Sequence, residues 1–220
     1  MIPLRDTTLS RHFPIVTVAI IAANLLIFLY EVSLSHRELD LLVRAFGVVP
    51  ARELAHLALA PFSFTTYLPF LTSMFLHGGW VHVLGNMLYL WVFGDNVEDI
   101  MGRFRFLVFY LFTGFIGSLL HIWMDPDSHI PTVGASGAIA GVLGAYFVSF
   151  PHSRVLTLVP IFIFLTLVEL PAVLFLFLWF GLQLLSGVAS LGVPGEPVAW
   201  WAHIGGFVSG AVLVHVFRRR

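Results

Sequence analysis

The chain has 220 residues, 59% of them hydrophobic and only 10% charged, with a mean hydropathy of +0.95. A soluble domain carries roughly a quarter charged residues, so this composition excludes a water-soluble globule and leaves an integral membrane protein. A formal net charge of -1 excludes a general nucleic-acid binder, and the absence of cysteine excludes disulfides, thiolate zinc sites and a cysteine nucleophile.

A membrane-crossing helix needs about 20 apolar residues. Runs of that order fall at about 13–33, 80–98, 104–124, 133–150 and 198–217, with a longer run over 155–191. The first follows a short N-terminus, 1–12, that holds Arg5 and Arg11. It is longer than the apolar core of a signal peptide and has no small-x-small exit, so it is expected to be a retained helix. An outer loop, 34–79, comes next and mixes Arg37, Arg44 and Arg52 with Glu38, Asp40 and Glu53. The run over 155–191 is divided by Pro160, Glu169 and Pro171. Val155 to Leu170 is expected to lie along the interface and 171–191 to cross, because proline suits a helix start. The expected fold is all-α, one domain over 1–220 built as a polytopic bundle of six transmembrane helices.

Arginine placement supports the even count, since short cytoplasmic segments are enriched in basic residues. With the N-terminus inside, Arg5, Arg11, Arg103, Arg105, Arg154 and Arg218 to Arg220 lie inside, and Arg37, Arg44 and Arg52 outside, eight against three. A seventh crossing would move Arg218 to Arg220 outside, so both termini are expected to be cytoplasmic. The loops at 125–132 and 192–197 have no basic residue.

In this topology the second, fourth and sixth spans run from outside to inside. Their first turns carry His82 and Asn86, Ser136, and His203. Polar groups inside a bilayer cost several kcal/mol when unpaired and are functional candidates by default. His82 and Asn86, four apart, share one helix face. The fourth span repeats Gly137, Gly141 and Ala145 every four residues, and the sixth repeats Ala202, Gly206 and Gly210. Such ridges let two membrane helices approach backbone to backbone. They begin beside Ser136 and His203, so the hydroxyl is expected within hydrogen-bond reach of the imidazole, as a base-activated nucleophile requires.

Oxyanion stabilisation needs donors aimed at the developing charge. Asn86 offers an amide, His82 a ring N–H, and Ser136 a backbone N–H at the positive end of its helix. Asp95, Glu98, Asp99 and Glu169 fall toward the inner side, which predicts a Ser-His dyad without an acid. No cofactor and no metal is expected, because His77 and His82 do not share a helix face and no carboxylate joins them and His203. Plainer roles stand beside these: Ser136 as padding in a helix contact, His82 and Asn86 as interhelical glue, and His77 as either a loop tether or part of the site. His12, His36, His56, His121, His129, His152 and His215 are expected to be interfacial or loop residues, and Trp200 and Trp201 interfacial anchors.

Taken together, Gly134-Ala135-Ser136-Gly137, the stretch from His77-Gly78-Gly79-Trp80 through His82 to Asn86, and Ala202-His203 followed by Gly206 and Gly210 resemble the rhomboid intramembrane serine proteases. The likeness runs in matching order over about 13–217. It implies a nucleophile at Ser136, a base at His203 and an oxyanion hole from His82, Asn86 and Ser136, with Gly134, Gly137, Gly206 and Gly210 as motif support. It also implies a first loop partly embedded in the outer leaflet and a fifth helix that gates substrate. There are two departures. Leu68-Pro69 stands where some members have Trp-Arg, and Ala140 stands where others stack a tyrosine on the catalytic histidine. Something else must therefore orient His203, or it is held more loosely.

The function so implied is an intramembrane serine endopeptidase, expected in the lipid bilayer of a prokaryotic inner membrane. Its expected partners are single-span transmembrane protein substrates, with no nucleic acid, cut near the outer face. A catalytically silent relative that binds membrane clients predicts loss of Ser136 or His203. A small transporter predicts repeat symmetry or paired membrane charges. The sequence has none of these features. Pro131-Thr132-Val133 is expected to descend as non-helical chain to a sunken Ser136, which is allowed where it lines a cavity or is buried in protein.

Overall fold

The computed structural model describes residues 1–161, 164–192 and 198–219. The expected loop at 192–197 lies outside the described residues beyond Gly192, as does Arg220. In chain order the elements are β1 (Ile2–Asp6), α1 (Ile15–Ser33), α2 (His36–Phe46), α3 (Pro50–Leu59), α4 (Phe64–Thr72) and a short 3₁₀ turn (Ser73–Phe75). They continue as α5 (Trp80–Met101), α6 (Arg103–Met124), α7 (Ser136–Ser149), β2 (Arg154–Ile161), β3 (Phe164–Pro171), α8 (Ala172–Ala189) and α9 (Trp200–Phe217).

A helix forms in each of the six expected spans, and the protein is a helical membrane bundle. Four of these helices, α1, α6, α8 and α9, are long and apolar enough to cross a bilayer. The other two differ for identifiable reasons. α5 carries Asp95, Glu98 and Asp99 in its last two turns, and α7 has only 14 residues, about 21 Å of helix. The connection over 34–79 contains three short helices and the 3₁₀ turn. Ser35 and Glu38 form a reciprocal capping box at the start of α2, and Pro50 opens α3 at a position where its missing N–H costs nothing.

To the helical bundle is added a small sheet that the all-α expectation did not contain. The segment from Val155 to Leu170, expected to lie along the interface, falls within two antiparallel strands, β2 and β3, that pair from Arg154↔Pro171 to Ile161↔Phe164. β1 adds to the other edge of β2, with Ile2 opposite Leu158 and Asp6 opposite Val155. Val155, Thr157, Val159, Thr166 and Val168 are β-branched and suit a pleated surface, while Pro160 disfavours a helix through the segment.

α7 is the hub of the bundle, with every residue from Gly137 to Tyr146 buried. It is sandwiched between α6 and α9, and backbone contact sets the spacing. A Cβ on Gly206 would lie 2.0 Å from the Gly137 carbonyl oxygen, and one on Gly210 2.0 Å from that of Gly141. The α9 ridge therefore works as expected. On α7, Gly144 adds a further close approach to α9, against the Phe207 carbonyl, while a Cβ on Gly141 would meet Thr113 of α6. Gly206→Val is accordingly expected to cost about 3 kcal/mol or more, the upper range for overpacking a dense core. Gly137→Ala, whose Cβ would find 3.5 Å to the nearest atom, is expected to cost under about 1 kcal/mol. Thermal unfolding of both variants in detergent checks the contrast, and equal midpoints would refute it.

The opposite end of the bundle holds the acids that sequence left unassigned. The Glu98 carboxylate accepts from the Val16 and Thr17 N–H groups at 3.0 and 2.8 Å and from the Thr17 hydroxyl at 2.8 Å, so it caps α1 from another helix. Asp99 lies 2.6 Å from the His12 ring. Asp6 accepts from the Tyr146 hydroxyl and from Asn96 Nδ2. Burial pushes the Asp6 carboxyl up to about 6, against the opposing effect of the Tyr146 hydrogen bond. The folded state thus holds this proton more tightly than the unfolded chain does. Stability is fully present below the ordinary value of 3.8 and is lost as pH rises through about 6. Protection of the β1 amides, after correction for the intrinsic pH dependence of exchange, should therefore fall over that window, and Asp6→Asn should abolish the fall.

Candidate active site

The site begins with how the chain enters α7. Val48 and Thr132 exchange backbone hydrogen bonds at 3.0 and 2.7 Å, the Thr132 hydroxyl meets His121 Nε2 at 3.0 Å, and the Gly134 N–H reaches the Ser73 carbonyl at 2.8 Å. Residues 131–133 are therefore non-helical, as expected, and the Thr132 N–H, carbonyl and hydroxyl are paired within the protein. Gly134 has φ +128°, and a Cβ there would lie 2.7 Å from His82 Nε2. Glycine is required twice at this position, for conformation and for space. The turn delivers Ser136 as the first residue of α7.

Ser136 Oγ lies 2.7 Å from His203 Nε2, in the first turn of α9. The opposite ring nitrogen, Nδ1, lies 2.8 Å from Gln183 Oε1 of α8. Trp179 and Trp200 flank the imidazole, with ring centroids 6.2 and 6.1 Å away, the latter edge-on. The Gly78 N–H donates to His82 Nδ1 at 3.3 Å, so the neutral His82 ring carries its proton on Nε2, the nitrogen beside Gly134. Asn86 Nδ2 donates to His77 Nε2 at 3.0 Å, and its second amide hydrogen remains to serve the cleft. The His77 backbone N–H in turn points at both Glu31 carboxylate oxygens, 3.2 Å each. His77 is buried; its backbone N–H ties its loop to α1 and its ring accepts from the Asn86 amide.

His82, Asn86, Ser136, Gln183, Trp200 and His203 line one cleft of about 300 Å³ between α5, α7, α8 and α9. The fold thus brings together every residue singled out from the sequence for chemistry. Of the acids weighed from the sequence, Glu98 caps α1, Asp99 meets His12 and Glu169 lies 3.5 Å from Arg154. Among the described residues no three His, Asp or Glu side chains are grouped so as to hold a metal ion. Gln183 is the residue that sequence reasoning missed. Its signal was available, because it is the one amide in an otherwise apolar span, but nothing in one dimension aims it at His203.

Comparison with known proteins gives the family. The rhomboid domain family model matches residues 64–220, and the chain belongs to the rhomboid family. It is similar to rhomboid protease GluP of Bacillus subtilis, 45% identical over 75 residues, which cover 34% of this chain and 14% of that protein. It is similar also to the mitochondrial rhomboid protein 1 of Saccharomyces cerevisiae, 34% identical over 43% of this chain and 29% of the relative. RHOMBOID-like protein 4 of Arabidopsis thaliana is 38% identical over 65% of the chain and 32% of its own length. The chain thus spans a third or less of the length of each of these relatives.

Proposed function

We propose that this protein is an intramembrane serine endopeptidase with Ser136 as nucleophile and His203 as base. The observation that carries the reading is the 2.7 Å approach of Ser136 Oγ to His203 Nε2 inside a cleft that His82 and Asn86 also line. In this reaction Nε2 takes the hydroxyl proton as Oγ attacks the substrate carbonyl carbon, and the carbonyl oxygen becomes the oxyanion. His82 Nε2–H, the Asn86 amide and the backbone N–H of Ser136 at the positive end of α7 stabilise that charge. The imidazolium then gives its proton to the departing amine. Water attacks the acyl-enzyme with His203 again as base, releasing the second product and restoring Ser136.

The substrates are single-span transmembrane proteins, and the shortness of α7 supports this. About 21 Å of helix does not fill a ~30 Å hydrocarbon core, so Ser136 is sunk below the outer surface if the other end of α7 reaches the inner interface. A substrate helix must unwind there, because a helical carbonyl is shielded by its own hydrogen bond. Arginine asymmetry supports six crossings with both termini cytoplasmic, and the proposed setting is a prokaryotic inner membrane. The test is purified protein in liposomes with a panel of single-span substrates and chelator present. Cleavage is expected near the outer end, and Leu in place of Gly or Pro beyond the cut is expected to slow it. Undiminished cleavage of those substrates, or a cut near the cytoplasmic end, would overturn the access route. Absence of both cleavage and fluorophosphonate labelling at Ser136 would leave the protein as a silent binder of membrane clients.

A further inference from the structure

We infer that Gln183 is a positioning residue that sets the tautomer of His203, so that Ser136, His203 and Gln183 form one proton-handling unit across α7, α9 and α8. The inference rests on the serine-protease reading for its consequence, and on geometry for its substance. A neutral imidazole has one N–H, and its two neighbours decide which nitrogen carries it. Gln183 Nε2 donates back to the Trp179 carbonyl of its own helix at 3.4 Å, which turns Oε1 toward the imidazole. That oxygen only accepts. At 2.8 Å from Nδ1 it requires the proton on Nδ1, and the Nε2 lone pair then faces the Ser136 hydroxyl. In the other tautomer two acceptors would confront each other at Nδ1, and Nε2–H would point at the nucleophile it is meant to deprotonate.

The surroundings strengthen the argument. Gln183 is only 8% exposed, which limits competition from water for its oxygen. Position 140, one turn along α7 from the nucleophile, is a fully buried alanine and brings no polar group to the ring. The imidazole is held instead by α8, through Gln183 and through Trp179 one turn earlier. α8 packs on α9 along one face and exposes Phe177, Leu182 and Leu185 on the other. Because both holding residues sit on this helix, the state of the base is tied to its seating.

The test compares wild type with Gln183→Met, which keeps side-chain length without the acceptor, and Gln183→Glu, which keeps an acceptor oxygen. Three quantities are read: kcat and KM on a single-span substrate, the rate of fluorophosphonate labelling at Ser136, and the His203 ring tautomer by nitrogen NMR of histidine-labelled protein. Gln183→Met is expected to lower kcat and the labelling rate about tenfold, the scale of one lost hydrogen bond, with KM within about twofold. Its spectrum is expected to gain the Nε2-protonated form. Gln183→Glu should restore most of the rate. Unchanged kcat and labelling in Gln183→Met, or a change in KM alone, would overturn the inference, as would equal loss in both variants with His203 still protonated on Nδ1. If wild type is neither labelled nor active, the protease reading fails by itself, and the spectrum of Gln183→Met still decides whether Gln183 sets the tautomer.

Discussion

Ser136→Ala is expected to abolish cleavage, by about 10⁴-fold or more, while leaving the bundle folded. The substitution removes one oxygen from the first residue of a helix whose next ten positions are buried small or apolar side chains, and alanine is a better helix former than serine. Its contacts with the packed ridge are untouched, since α7 meets α9 through Gly144, Gly206 and Gly210. Chemistry and stability should therefore separate: no product, no fluorophosphonate adduct, and an unfolding midpoint within a few degrees of wild type. His203→Ala should lose a similar factor, and the double variant should be no worse than either single one, because the two groups act as a unit. Near wild-type cleavage by Ser136→Ala would reject this residue as nucleophile and return it to the role of a helix-packing serine.

Asn86→Ala carries the second large effect, a loss of roughly 10² to 10³ in turnover with little change in KM. A donor that meets charge appearing only in the transition state adds little to ground-state binding, so the loss belongs in kcat. Asn86 also satisfies His77 Nε2, and its removal leaves that buried ring without the partner, at a cost of about 1–3 kcal/mol in stability. His77→Ala supplies the control. It keeps the amide but frees it to rotate, and turnover should fall less than in Asn86→Ala. A raised KM with unchanged kcat in Asn86→Ala would place the amide in substrate binding and remove it from the oxyanion hole.

Much of this site was legible in one dimension because membrane chemistry is strict. A chain with so few charges must cross a bilayer, and a polar side chain in such a span must have a partner or a task. His82, Asn86, Ser136 and His203 stand out for that reason, and the four-residue spacing of Gly206 and Gly210 announces close helix packing because periodicity on one helix is a local property. The tertiary structure alone decided what depends on the meeting of distant segments. β1 is a strand only because β2 presents it an edge, and a pair of strands of β-branched residues reads from sequence like any apolar stretch. Glu98 is a cap for a helix some eighty residues earlier in the chain. The rotation at which α6 and α9 clasp α7 adds Gly144, which the four-residue ridge does not include, to the backbone contacts that Gly137 and Gly141 make with α9. Gln183 is the clearest case, since a side chain's identity says that it must hydrogen-bond, and only the placement of α8 beside α9 says to what.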